Sequence, residues 1–238
     1  MINIFAYCLI TFFGFLGNIL ANNDPISSKR KLVIEVKPVF GKSPLCVSTV
    51  SYTTIKGDTV QVDRFRFYLS GLTIRFENGD KYEEQNSYHL IDAEEPSSFL
   101  IPLSNVPNGK IIALDYNIGV DSTSSVSGAL AGALDPVKGM YWAWNSGYIN
   151  AKLEGICKKN NKNHVFEFHI GGYSNPNYAL RSVKLPVDFE VKNKITLLAD
   201  VAVWLLEADL SKENSVLIPG REAMSIADKY ATMFRLNN

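Results

Sequence analysis

Met140, Trp142 and Trp144 recur at every second position in the run Leu134-Asp135-Pro136-Val137-Lys138-Gly139-Met140-Tyr141-Trp142-Ala143-Trp144-Asn145-Ser146-Gly147-Tyr148. In a strand, residues at that spacing share one face, so one thioether and two indoles would line a single patch. The bland reading is a set of large aromatic core residues. A buried indole needs a partner for its N–H, which makes two of them, two residues apart, expensive as filler. The chemical reading is a soft-metal or oxidation site, because thioether and imidazole ligands suit copper(I).

Imidazole is scarce: the histidines are His89, His164 and His169. In Val165-Phe166-Glu167-Phe168-His169-Ile170 the phenylalanines and Ile170 alternate with Val165, Glu167 and His169. His169 therefore lies on the more polar face, beside Gly171-Gly172, where glycine permits close backbone approach. Taken alone, His169 reads as a surface or hydrogen-bonded structural histidine. His89, between apolar neighbours, also reads as structural, and His164 follows a polar turn.

The usual enzyme signatures are absent. There is no G-x-S-x-G elbow, H-E-x-x-H, P-loop or C-x-x-C. Hydrolysis by a carboxylate pair stays open, with nothing in the sequence to select the pair. Asp121 and Asp135 flank a Ser/Gly/Ala segment and read as turn caps. Calcium would need a run of oxygen ligands at short spacing.

These residues must be positioned by strands. Lys31–Val39 alternates. In the long run 60–76, Phe65, Phe67 and Leu69 share one face while Arg64, Arg66 and Tyr68 share the other, with Ser70-Gly71 as a bulge or bend. Further strands are expected at 88–91, 99–103, 111–118, 164–170, 180–187 and 195–206. Residues 139–153 read as two strands broken at Asn145-Ser146-Gly147. Ser124–Leu134 reads as a short turn of helix or a loop. Ala223, Ile226, Ala227, Tyr230 and Phe234 fall at helical spacing after Pro219-Gly220. No repeat or linker divides the chain. The expectation is an all-β, single-domain antiparallel β-sandwich or flattened barrel with a short C-terminal helix.

Residues 1–21 are almost wholly apolar, end in Ala21 and precede Asn22-Asn23-Asp24-Pro25. They read as a secretory signal peptide, with an uncleaved anchor as the competing reading, and residues 22–30 as a flexible segment. Export places the domain, residues 31–238, in an oxidising compartment, where Cys46 and Cys157 suggest one disulfide; two buried thiols are the alternative. The 24 basic and 24 acidic side chains balance, so there is no basic footprint for nucleic acid.

Phe65-Arg66-Phe67-Tyr68-Leu69-Ser70, Tyr88-His89-Leu90-Ile91-Asp92, Asn117-Ile118-Gly119-Val120-Asp121, the Leu134–Tyr148 run and Phe168-His169-Ile170-Gly171-Gly172 occur in that order. In this the chain resembles the MbnP-like family of exported proteins, named for the partner protein of methanobactin operons. The variant is similar to the branch common in Bacteroidetes. The M-[FY]-W-x-W-x-x-G-Y run is the specific part, and F-H-[IL]-G adds to it. The resemblance implies a periplasmic or extracellular copper-binding β-sandwich that is not itself an enzyme. It also implies a tryptophan oxidised to kynurenine, joined by histidines at a copper(I) site, and a dihaem peroxidase-type partner that performs the oxidation. Carried onto matching positions, Trp142 and Trp144 are the tryptophan pair, with Trp142 the expected target, and His169 is the F-H-[IL]-G histidine. The sequence departs from the methanotroph members in having no histidine at 121–139. His89 and Met140 are the residues left to complete the ligand set. A metal-free interaction or ligand-binding module of the same fold is the alternative.

Overall fold

The computed structural model describes residues 28–145 and 147–237. The expected signal segment lies outside the described residues, as does most of segment 22–30. The first strand, β1 (Lys29–Phe40), begins two residues before its alternation predicts. It buries Leu32, Ile34 and Val36 completely, the every-second-residue pattern of a strand with one face on a core.

The remaining main strands are β2 (Thr59–Phe76), β3 (Tyr88–Asp92), β4 (Leu100–Pro107) and β5 (Ile111–Ile118), then β6 (Tyr141–Trp142), β7 (Gly147–Lys159) and β8 (Lys162–Gly171). A small hairpin, β9 (Tyr173–Ser174) and β10 (Asn177–Tyr178), leads to β11 (Arg181–Pro186), β12 (Lys194–Asp200) and β13 (Phe234–Asn237). One sheet has the order β13-β12-β1-β4 and the other the order β11-β5-β2-β7-β8. The main core lies between them. Leu32, Ile34, Leu197 and Ile101 come from the first sheet, and Phe65, Phe67, Leu69, Leu153, Phe166 and Phe168 from the second.

The expected all-β sandwich is therefore present, with three differences. Pairing is mostly antiparallel, but β1 and β12 run parallel. The strand expected at 195–206 stops at Asp200. Its carboxylate accepts the Ala202 N–H at 3.0 Å and starts the helix α2 (Val201–Trp204), the usual work of an N-capping aspartate. The helix Arg221–Ala231 (α3; α1 is the short Ser122–Val126 helix) begins at Gly220 as expected, yet it is not the last element. Phe234 has left the helix and lies in β13, 5.5 Å from the rings of both Phe67 and Tyr116. Backbone pairing with β12 and this aromatic contact override the helical spacing.

The second sheet has a split edge. β2 pairs with β7 from Thr59 to Phe67 and with β5 from Leu69 to Phe76. β3 pairs with residues 66–70 of β2 at the same time, so it occupies the other edge. The register shifts after Ser70, where Gly71 has φ +60; the expected bulge is there. β5 and β7 part at Tyr68, and the chain seals the gap: Gly119 N–H donates to Tyr68 O (2.9 Å) and Val120 N–H to Asn150 Oδ1 (3.1 Å). A Cβ on Gly119 would lie 2.3 Å from the Asn150 amide, so only glycine fits this closure. From here the chain crosses the outer face of the sheet through α1 and two 3-10 turns and returns as β6.

Asp121 and Asp135 are caps, as read from the sequence. Asp121 accepts from Ser124 N–H (2.9 Å) and Asp135 from Val137 N–H (2.9 Å). Cys46 and Cys157 are both free thiols, against the expected disulfide. Cys157 points into the main core from β7, whereas Cys46 is exposed beyond the first strand.

Candidate functional site

The outer-face excursion buries a second, separate cluster: Tyr68, Val120, Leu134, Met140, Trp142, Tyr148 and Ile149. Tyr68 and Tyr148 meet edge to face at 5.9 Å, and the two phenols are anchored to backbone carbonyls, Tyr68 to Ala133 (3.1 Å) and Tyr148 to Leu134 (2.9 Å). These bonds satisfy buried hydroxyls that would otherwise destabilise the cluster.

Met140 is fully buried and Trp142 is 6 % exposed, but Trp144 is 64 % exposed. The expectation that all three share one strand face is corrected. β6 spans only Tyr141–Trp142, paired with Tyr148 and Gly147, and Asn145 N–H closes a turn on Trp142 O (3.3 Å). A turn breaks the two-residue period, so Trp144 swings to the surface. The indoles stay in contact, centroids 5.8 Å apart at 46°.

His169 lies on β8, the strand on which Trp142 of this cluster rests. A Cβ built on Gly171 would lie 2.7 Å from the six-membered ring of Trp142, so the ring rests on that glycine's backbone. His169 is two residues earlier in β8 and points to the same face. Its strand partner Lys152 is in turn paired with Arg66 of β2, two residues from Tyr68. The row Arg66–Lys152–His169 thus runs beneath the excursion. Lys152 Nζ donates to Gly139 O (2.6 Å) and Arg66 Nη1 to Lys138 O (3.0 Å), fixing the chain just before Met140.

His169 Nε2 lies 2.7 Å from Glu154 Oε1. Burial pulls the imidazole below its ordinary value; the Glu154 hydrogen bond opposes that shift and the Lys152 charge adds to it. That shift favours the neutral ring. A carboxylate can only accept, so Nε2 carries the proton and Nδ1 keeps its lone pair. Burial alone would raise Glu154, but His169 and Arg64 hold it below the usual carboxylate range. Arg64 Nη1 sits 2.6 Å from Glu154, and Glu94 bridges Arg64 (3.2 Å) to Arg66 (2.8 Å), which also pairs with Asp92 (2.8 Å).

His89 does not join this group. It pairs with Leu69, a main-core residue, whereas its neighbour Leu90 pairs with Tyr68 of the outer cluster. Cross-strand partners share a face, so His89 points to the opposite side of the sheet, where Nε2 lies 2.8 Å from Glu84. His164 pairs with Cys157 far along the β7–β8 ladder. Among the described residues, no three His, Cys, Asp or Glu side chains converge as a metal-holding group. The soft donors among the described residues of the outer face are one imidazole, His169, and one thioether, Met140, and such donors suit copper(I) better than a hard cation; the carboxylates beside His169 are engaged by arginines and by the imidazole itself. Glu154, Lys152, Arg64 and Arg66 escaped the sequence reading as site residues. The alternation of β2 placed the two arginines beside Tyr68, but the β7–β8 register that adds the others is a long-range pairing.

A family model described as MbnP matches residues 29–221. The solved structure of MbnP from Methylosinus trichosporium is similar, with TM-score 0.52 at 13 % identity, covering 83 % of this chain and 84 % of that one. A search of curated proteins found no match.

Proposed function

Starting from the chain's membership of the MbnP family, which residues 29–221 establish, we propose that it is an exported copper(I)-binding protein, not itself an enzyme, with its site on Met140, Trp142 and His169. The observation that carries this reading is the engagement of His169 Nε2 by the Glu154 carboxylate at 2.7 Å. Metal-binding histidines commonly donate their second ring N–H to a carboxylate, which fixes the tautomer and turns the other nitrogen toward the metal. Nδ1 is then the ligating atom, Met140 is the thioether donor, and Trp142 walls the site against Gly171. Copper(I), when bound, supplies a soft acceptor for those two donors. Oxidation of Trp142 to kynurenine by a dihaem peroxidase-type partner belongs to the same proposal. Trp144 stands at its exposed rim, and residues 1–21 direct the export.

Anaerobic copper(I) titration against a chromogenic chelator tests this. The expected result is one copper per chain, with His169→Ala weakening it by at least about tenfold, or ~1.4 kcal/mol, Met140→Leu weakening it less, and His89→Ala leaving it unchanged. Mass spectrometry of protein from its native host reads the state of Trp142.

One observation favours a second reading, the metal-free module. Lys152, the strand partner of His169, places a positive charge that acts on the imidazole, and its repulsion lowers the affinity for a cation. No copper retained against the chelator would select that reading.

A further inference from the structure

A hollow of about 290 Å³ opens beside Trp144, lined by Asn145, Tyr173, Ser174, Asn177 and Ile218, with Gly172 and Pro219 completing the wall. We propose that it binds a pyranose ring of a neutral saccharide.

Three observations carry this. The first is the lining, which among the described residues has two aromatic rings, two side-chain amides and two hydroxyls, those of Ser174 and Tyr173, but no charged group. Such a wall offers no counter-charge to an ionic ligand. It suits a ring with apolar C–H faces and hydroxyl edges. The C–H faces meet the electron-rich faces of indole and phenol. Asn145, Asn177 and Ser174 can each both donate and accept, which is what vicinal hydroxyls require.

The second is pre-organisation. One edge of the Tyr173 ring packs on Gly147, where a Cβ would come within 2.9 Å of it. The Tyr173 carbonyl accepts from Ser122 Oγ, tying the hairpin to α1. Gly172 (φ +132) lets the Asn177 backbone approach, since a Cβ there would lie 2.1 Å from Asn177 O. A platform held this way loses little freedom on binding.

The third is the exposure of Trp144, 64 %. Trp142 fills the cluster beneath, so Trp144 is not needed for the core. The hollow falls just below the range of pockets that enclose a whole drug-sized ligand, a size suited to one ring of an oligosaccharide.

This site shares Trp144 with the rim of the proposed copper site but uses neither His169 nor Met140, so the two proposals are tested by different variants. The test is calorimetric titration of the purified protein with cellohexaose, maltohexaose, laminarihexaose and chitohexaose, with tryptophan emission followed in parallel. At least one is expected to bind saturably and shift the emission. Trp144→Ala and Asn177→Ala should each lower that affinity by about tenfold or more at unchanged melting temperature, while His169→Ala leaves it intact. Absence of binding by all four at about 10 mM, or equal binding by Trp144→Ala, overturns the proposal.

Discussion

His169 Nε2 and Glu154 Oε1 lie 2.7 Å apart across the β7–β8 ladder, and the other oxygen of Glu154 is 2.6 Å from Arg64. One carboxylate thus orients the imidazole while answering a guanidinium. In the metal-free protein, Glu154 raises His169 and burial lowers it, with burial the larger. Glu154→Gln removes the opposing influence, so the His169 titration midpoint should move further down. An NMR pH titration of the imidazole signals checks this; an upward move contradicts the assigned balance.

The two indoles of the pair should separate cleanly in stability. Trp142→Ala empties a buried site and is expected to destabilise by about 3 kcal/mol. Trp144→Ala should stay within about 0.5 kcal/mol of the parent, as surface changes do. Urea denaturation of both variants reads the difference directly.

Gly171→Ala should disturb Trp142 without touching it in sequence. The added methyl would meet Tyr148 O at 2.5 Å and the Trp142 ring at 2.7 Å. A loss of about 1–3 kcal/mol is expected, accompanied by a change in tryptophan emission. An unchanged spectrum would mean that the indole does not rest on this strand.

Acid should weaken the fold in two stages. Burial holds His169 below 6.5, so the folded state binds fewer protons there than the unfolded one. Stability begins to fall as pH drops below that value and levels off under the folded value. For Glu84 burial is unfavourable to the charge, but bonds from His89 and Ser87 outweigh it and its pKa is lowered from 4.5. Asp121 is lowered from 3.8 against burial by Tyr88 and Ser124. Both contribute stability above those ordinary values and lose it as pH falls through their folded ones. Thermal melts from about pH 3 to 8 should show a shallow step and then a steeper one, the latter flattened in Glu84→Gln.

A thiol reagent should label Cys46 in the folded protein and leave Cys157 untouched until denaturation. Cys46 is exposed; Cys157 is buried, and that burial raises its thiol. Two equally fast thiols, or none, would contradict the placement.

Much of the sandwich was legible locally. The strand 111–118, the two faces of the 60–76 run and the Ser70-Gly71 bend are encoded within single segments. The parallel partnership of β1 and β12 was not, because register between distant strands leaves no local trace. The candidate site divides the same way. His169 and the glycines after it were visible as a polar face beside a close backbone approach, and Gly171 does admit Trp142. The fate of Trp144 depended on a turn that overrides alternation. The exclusion of His89 depended on which of two adjacent residues pairs with Leu69. Glu154 became visible as the partner of His169 only once β7 and β8 were aligned.

The split edge of the second sheet has a consequence for stability. Because β5 and β7 part at Tyr68, Met140 and Trp142 of the proposed copper site belong to a satellite core outside the one that joins the two sheets. A substitution confined to that excursion costs stability through the satellite core and leaves the packing between the two sheets unaltered. The likeness to the solved MbnP structure at 13 % identity is one of architecture, and the scaffold that carries it is built separately from the outer-face cluster.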